Sequence, residues 1–228
     1  MLDFLAAHGL RDGAAVLDVG SGTGILAGLL LERGATVFAV EPNGPMRSEA
    51  ERQFGGRQGF HSINGTAEAT GLRDGSIDLI TAAQAFHWFE PVATRREWAR
   101  VLRPGGWVAL MWNERVDEGE FAKGYRDLAN GFVDREERPA ARRLANPTEQ
   151  IEEFFHPNPM TRRAFENSQV LDLAGLKGRA MSSSYWPRTG EAHERSMATL
   201  EELFEQHNVD GQIRFDYRTE VFLGQLNV

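Results

Sequence analysis

One short stretch constrains the fold of this chain more than any other: Val16-Leu-Asp-Val-Gly-Ser-Gly-Thr-Gly24. Val16, Leu17 and Val19 make an apolar run of strand length. Gly20, Gly22 and Gly24 let the chain turn sharply and leave bare main chain for a ligand to approach. Ile25 to Arg33 then reads as a helix, with Ile25, Leu26, Leu29 and Leu30 on its apolar face and Gly34 where a C-terminal cap belongs. Ala35 to Val40 reads as a second strand ending at Glu41. Strand, glycine turn, helix and strand in this order open a parallel α/β sheet.

The spacing says what such a turn holds. Twenty-one residues separate Gly20 from Glu41, close to the distance between the glycine turn and the ribose-binding acid of dinucleotide folds. A carboxylate suits ribose because it accepts hydrogen bonds from both hydroxyls. Two details separate a nicotinamide cofactor from a cationic one. Ile25 stands at the third position of G-x-G-x-x-G, where close helix–strand packing asks for a small residue. Asp18 lies two residues before the first glycine. A carboxylate there faces a diphosphate unfavourably, but it complements the ammonium or sulfonium of S-adenosylmethionine. The plainer reading has Asp18 capping a turn and Glu41 opening the next helix.

An acid, then G-x-G-x-G, then an acid closing the second strand resembles the class I S-adenosylmethionine-dependent methyltransferases of type 11. Three further stretches carry the resemblance: Gly65-Thr-Ala-Glu-Ala-Thr-Gly-Leu72, Ser76-Ile-Asp-Leu-Ile80 and Arg100-Val-Leu-Arg-Pro-Gly-Gly106. Gln84-Ala-Phe-His-Trp-Phe89 resembles a subgroup of small-molecule methyltransferases related to trans-aconitate methyltransferase. The likeness is specific over about residues 14–113 and general beyond. It implies a Rossmann-like, doubly wound sheet of seven strands, mostly parallel, with an antiparallel final strand and a helical insertion after strand five. It also implies the cofactor contacts. The backbone of Gly20, Ser21, Gly22 and Gly24 would approach the methionine end of S-adenosylmethionine, and Asp18 would hold its amino group. Glu41 would bind the ribose; Pro42 and Ala67 would face the adenine, with Glu68 at its exocyclic amine. Gln84 and Ala85 would lie beside the amino-acid tail or the methyl. Relatives usually carry an N-terminal segment with an R-P-x-Y-P-like sequence that closes over the cofactor. This chain begins almost at the helix before strand one, so the lid is either missing or cut away.

Strand and helix signals keep alternating downstream. Leu2, Phe4, Leu5 and Leu10 indicate a short helix before strand one. Strand three falls at Phe60 to Asn64 and strand four at Ile77 to Ala82. A helix runs from Pro91 to about Leu102, and Pro104-Gly-Gly106 breaks the chain before strand five, Trp107 to Trp112. Phe121, Tyr125, Leu128 and Phe132 then recur at helical spacing. Asp134 to Asn146 reads as a surface loop or short helix, and Asn146-Pro147 as a helix start leading into Ile151, Phe154 and Phe155. Met160 to Phe165 is strand six. Ile213, Phe215, Tyr217, Val221 and Leu223 alternate with Arg214, Asp216, Arg218 and Glu220, which marks a final strand with one wetter face. The reading is a single domain over 1–228: a cofactor core at 1–113, a helical substrate-side insertion at 114–156, and C-terminal strands and a helix completing the sheet at 157–228.

His87 is the candidate proton acceptor for a hydroxyl or amine acceptor; the alternative is that it packs against Trp88 and Phe89. Trp88, Trp112 and Tyr185 could line an acceptor pocket or simply belong to the core. His61, His156, His193 and His207 show no metal-site spacing, and with no cysteine there is no disulfide, thiolate zinc site or cysteine nucleophile. That fits a cytoplasmic protein, as does the absence of a signal-peptide layout and of a membrane-length apolar run. A net charge of −8 argues against general nucleic-acid binding. The pairs Arg95-Arg96, Arg142-Arg143 and Arg162-Arg163 read as solvated faces. Three functions remain in play: methyl transfer to a small molecule, a nicotinamide-dependent oxidoreduction, and a protein that binds S-adenosylmethionine or S-adenosylhomocysteine without catalysis. Oligomeric state is not legible.

Overall fold

The computed structural model describes residues 1–116, 119–132, 148–183 and 186–226. In chain order they form α1 (Leu2–Ala6), β1 (Ala15–Val19), α2 (Ile25–Glu32), β2 (Thr36–Val40), α3 (Gly44–Phe54), β3 (Phe60–Ile63) and β4 (Ile77–Ala83). A 3₁₀ turn (Phe86–Trp88), α4 (Pro91–Val101), β5 (Leu102–Arg115), α5 (Glu120–Asn130) and α6 (Thr148–Phe155) come next. The last elements are β6 (Met160–Leu171), α7 (Leu173–Ser182), α8 (Gly190–His207) and β7 (Ile213–Gly224). The strands make one seven-stranded sheet in the order β3-β2-β1-β4-β5-β7-β6. The first five pair in parallel, and the β5-β7-β6 end is antiparallel. Strand order reverses between β1 and β4, so a crevice opens beyond their C-terminal ends, where open α/β sheets bind ligands.

The chain divides into two compact units. One comprises residues 1–112, 147–164 and 219–228; the other comprises 113–146 and 165–218. Helix α6, which the sequence placed within the insertion, lies in the first unit, and each of β5, β6 and β7 begins in one unit and ends in the other. The first unit is built around Leu17, Ile80, Trp98, Val108, Leu110, Phe155 and Phe222. The second has its own core of Phe121, Tyr125, Leu176, Trp186, Leu200 and Phe215. Among the described residues no helix is long and apolar enough to cross a membrane.

Four local expectations are corrected. Ile25 and Leu29 do not face the core: they are 77% and 37% exposed, and α2 buries Leu26, Ala27, Gly28, Leu30 and Leu31 instead. Pro104-Gly-Gly106 does not end the strand pairing. β5 starts at Leu102, and the three residues Ile77 to Leu79 of β4 run opposite the six residues Leu102 to Trp107 of β5, so the break is a bulge absorbed within the strand. In β7 the alternation holds to Arg218, but Thr219 to Gly224 is buried on both faces. Glu220 is among those buried residues and accepts both a 2.7 Å and a 2.6 Å hydrogen bond from Arg162. Arg162 is therefore a paired cation, not a purely solvated one. Arg95 likewise donates to the carbonyls of Phe154 and His156, tying α4 to the end of α6.

A buried polar knot fixes the loop before β4. Glu97 on α4 accepts from Thr70 N at 2.9 Å and Thr70 Oγ1 at 2.6 Å, and Arg100 pairs with both of its oxygens. Burial works against that charge, but the bonds from Arg100 and Thr70 outweigh it and hold the Glu97 carboxyl down at about 2. Thr70→Val removes one bond to a carboxylate and the hydroxyl that Leu72 N donates to. Urea denaturation should show a loss of about 1.5–3 kcal/mol; an unchanged midpoint would mean the knot contributes nothing.

Candidate functional site

The glycine turn is a set of backbone donors held in place by a carboxylate. Gly20 N and Ser21 N donate to Val40 O at 2.9 and 3.2 Å, tying the turn to the end of β2. Glu41, only 7% exposed, follows that strand end. Its Oε2 accepts from Gly22 N at 2.9 Å and its Oε1 from Asn43 N at 2.8 Å. Both oxygens thus hold main chain already, and each keeps a lone pair for a further donor. Arg47 locks the same corner from outside, donating to Glu41 O at 2.9 Å and to Asn64 Oδ1 at 3.2 Å.

Gly20 is required twice over. Its φ is +65°, and a Cβ there would stand 2.5 Å from Ala85 Cβ. The turn and the chain after β4 therefore touch backbone to side chain, leaving no room for any other residue. Close packing of α2 comes from Gly28, whose Cβ would lie 2.8 Å from the Phe54 ring of α3. Ile25 points to solvent and obstructs nothing, so its identity does not discriminate between cofactors. That weight falls on Asp18.

Asp18 pairs in register with Thr81 across β1 and β4. It is 1% exposed, and its Oδ1 accepts from Thr81 Oγ1 at 2.8 Å. Its Oδ2 is buried with no partner among the described residues. Burial, with a smaller push from the Glu41 charge, raises the carboxyl to about 7 against the Thr81 bond that lowers it. Thr81 and Arg47 were not singled out by sequence. Thr81 carried a signal all the same: it is a polar residue inside the apolar run Ile77 to Ala83.

Beyond β4, Gln84 is exposed and holds a left-handed φ of +55° while its N–H donates to Met111 O at 3.0 Å. A non-glycine residue in that region stores strain, which gathers at functional sites. Ala85 and Phe86 are buried. The His87 ring lies 4.8 Å from Trp88 and 5.8 Å from Trp112. Its Nδ1 is buried without a hydrogen-bond partner among the described residues, and burial lowers its pKa, favouring the neutral imidazole. Trp88 is 77% exposed, whereas Trp112 belongs to the core.

On the β3 side, Ala67 is buried and its carbonyl accepts from Trp98 Nε1 at 3.1 Å. Pro42 is exposed. Glu68 Oε1 accepts from Glu90 N at 2.9 Å. Burial opposes its ionisation, but this bond and those from Thr66 and Thr94 bring its pKa below the ordinary value. Glu68 thus anchors the start of α4, a task the sequence did not announce. Tyr185, Arg142-Arg143 and the 134–146 stretch lie outside the described residues. Among the described residues no group of histidines and carboxylates is arranged to hold a metal ion.

A sheet with this strand order, a glycine turn at its switch point and acids closing two adjacent strands define an α/β nucleoside-cofactor protein. Residues 17–110 match the family described as the methyltransferase domain. An uncharacterized methyltransferase of Mycobacterium tuberculosis is 33% identical over 178 residues, covering 76% of this chain and 68% of that one. A methyltransferase-like protein of Schizosaccharomyces pombe is 33% identical over 45% of this chain and 39% of its own. Among solved structures, a proposed type II methyltransferase of Anaeromyxobacter dehalogenans superposes with a TM-score of 0.68. It is 21% identical, with 93% of this chain and 90% of that one covered. The chain belongs to the class I S-adenosylmethionine-dependent methyltransferases. S-adenosylmethionine is its cofactor, and the nicotinamide alternative is set aside.

Proposed function

We propose that this chain transfers a methyl group to a small-molecule acceptor, holding S-adenosylmethionine in the crevice at the switch point. The observation that carries this reading is Asp18 Oδ2, a buried carboxylate oxygen beside the glycine turn with no partner among the described residues. Burying such an oxygen is costly unless something positive completes it, and the ammonium of the methionine moiety fits. When bound, the cofactor supplies a methyl group already activated by its sulfonium, ready for in-line displacement.

The chain's own residues bind and orient. Gly20 to Gly24 present bare backbone to the amino-acid end. Glu41, with a lone pair left on each oxygen, accepts from the ribose hydroxyls. Pro42 and Ala67 offer apolar surface to the adenine. Glu68, which already accepts from the Glu90 N–H, would meet the exocyclic amine. Gln84 and Ala85 border the methyl end. The cofactor core is assigned to residues 1–113 and the acceptor side to 114–156. Alignment of this kind is worth roughly 7–11 kcal/mol in favourable cases.

His87 is the proposed proton acceptor. A neutral imidazole with an unengaged nitrogen can take a proton, and burial keeps it neutral near pH 7. His87→Ala should leave cofactor binding intact and lower turnover of a hydroxyl or amine acceptor about 10²–10⁴-fold. A carboxylate acceptor, which has no proton to lose, should be spared. Full turnover of a phenol by the alanine variant would remove His87 from the chemistry.

The whole reading is tested with labelled S-adenosylmethionine and a panel of carboxylic acids, phenols and amines. Labelled product is the expected result. Tight calorimetric binding of S-adenosylhomocysteine with no product across the panel would favour a cofactor-binding protein without catalysis.

A further inference from the structure

Asp18 has one oxygen occupied and one open, and a neighbouring strand decides which. In the parallel pairing, Ala39 of β2, Asp18 of β1, Thr81 of β4 and Ala109 of β5 stand in one row across the sheet. Methyl side chains end the row, and Thr81 supplies its one hydroxyl. Thr81 is fully buried, and its Oγ1 donates to Asp18 Oδ1 at 2.8 Å. A β-branched residue on a strand has little freedom at χ1, so the hydroxyl is held in that direction. Asp18 Oδ2 has no partner among the described residues. Of the charged groups on the elements packed around it, Glu41, just past β2, acts on the carboxylate. Gly20 to Gly24 and Ala85 contribute no titratable side chain.

A hydroxyl has one proton to give. With that proton given to Oδ1, a neutral Asp18 carries its own proton on Oδ2, the same oxygen that is left for an incoming ammonium. Proton and ammonium cannot share it. The Thr81 bond also favours the ionised carboxylate, because a hydrogen bond to a charged acceptor is about twice as strong as one to a neutral acceptor. Thr81 therefore works against the burial that keeps the acid protonated.

We infer that Thr81 is a positioning residue for cofactor binding: by occupying Oδ1 of Asp18 it leaves Oδ2 for the cofactor's ammonium, so that ligand and proton compete for one oxygen and loading the site expels the proton to solvent. This deepens the methyltransferase reading and rests on it for the identity of the ammonium. The hold of Thr81 on Asp18 does not depend on that reading.

The test separates the two. Calorimetry of S-adenosylhomocysteine binding to the full chain, in buffers of different ionisation enthalpy, counts the protons released. With the carboxyl at about 7, about nine-tenths of a proton should leave at pH 6 and about one-tenth at pH 8. Thr81→Val keeps the β-branched shape and deletes the hydroxyl. The pH midpoint of its affinity profile should move up by about one unit, which is about a tenfold loss at pH 6. Thr81→Ser keeps the hydroxyl and should keep the wild-type midpoint. A purely structural role would lower affinity equally at every pH and leave the midpoint in place, and that result overturns the inference. Wild-type binding at pH 6 with no proton released overturns it too, and decides the matter if the valine variant does not fold. The NMR signal of the Asp18 carboxyl carbon, titrated without ligand, should show the same upward shift in Thr81→Val; an unmoved midpoint counts against the inference. If the wild type binds no S-adenosylhomocysteine across the pH series, the cofactor reading falls, and the carboxyl titration alone then decides whether Thr81 governs Asp18.

Discussion

Between pH 4 and pH 8 the ligand-free protein should lose stability relative to its Asp18→Asn variant, while its affinity for S-adenosylhomocysteine rises. The sign follows from Asp18. Its carboxyl sits at about 7 in the folded chain, against the ordinary 3.8 of an exposed aspartate. Below both values the folded and unfolded states are equally protonated, and the stability conferred by the native proton is fully present. As pH climbs through the window, the unfolded chain releases its proton first, and folding is penalised by about 1.4 kcal/mol per unit. The loss is complete once pH passes the folded value, and amounts to roughly 4 kcal/mol. Asparagine cannot titrate, so the variant lacks this slope, although its buried amide costs stability at every pH.

Binding runs the other way. An ammonium needs the ionised carboxylate, so affinity should fall about tenfold for each unit below pH 7 in the wild type. It should be weak and flat in the variant. Urea melts and calorimetry over a shared pH series provide both curves. Parallel stability curves for the two proteins would mean that Asp18 does not carry a displaced proton. A chain that buries a half-ionised acid in this way trades stability for a ready-made cation site.

Glu41→Ala should weaken S-adenosylhomocysteine binding by about 1.5–3 kcal/mol, roughly 10- to 150-fold, since bonds to a charged group are lost. The structure adds a second consequence. Both Glu41 oxygens already hold main chain, at Gly22 N and Asn43 N, so alanine frees two backbone donors and loosens the turn itself. A thermal shift downward should therefore accompany the binding loss. Glu41→Gln separates the effects: its single carbonyl oxygen restores one of the two backbone bonds and part of the stability, but cannot accept from both ribose hydroxyls. If the alanine variant binds as tightly as the wild type, the acid closing β2 does not read the ribose.

The early half of the chain was legible because its signals are local. Apolar runs bounded by glycine and proline mark β1 to β4 within a residue or so, and Gly20 to Gly24 could be placed at a turn because short-range sterics demand it. The failures share a cause. Ile25 and Leu29 looked core-facing, but the face α2 presents is set by where α3 brings Phe54 against Gly28, and spacing along one helix does not encode that. β5 was cut short at Pro104-Gly-Gly106 because a bulge is a property of two paired strands. Glu220 read as a wet-face residue, yet Arg162 from β6 reaches it, a partner 58 residues away.

The amino-acid sequence alone determined the order of strands and helices, the glycine bend and the places of the acids around it, since these depend on backbone sterics and on the period of apolar residues. What each acid does was decided only by the tertiary structure. Glu41 became a brace for the turn, Glu68 an anchor for α4, and Asp18 a buried carboxyl with one oxygen unmatched. Hydrogen-bond partners and burial come from segments far apart in the chain, and a carboxylate's chemistry is set by what surrounds it.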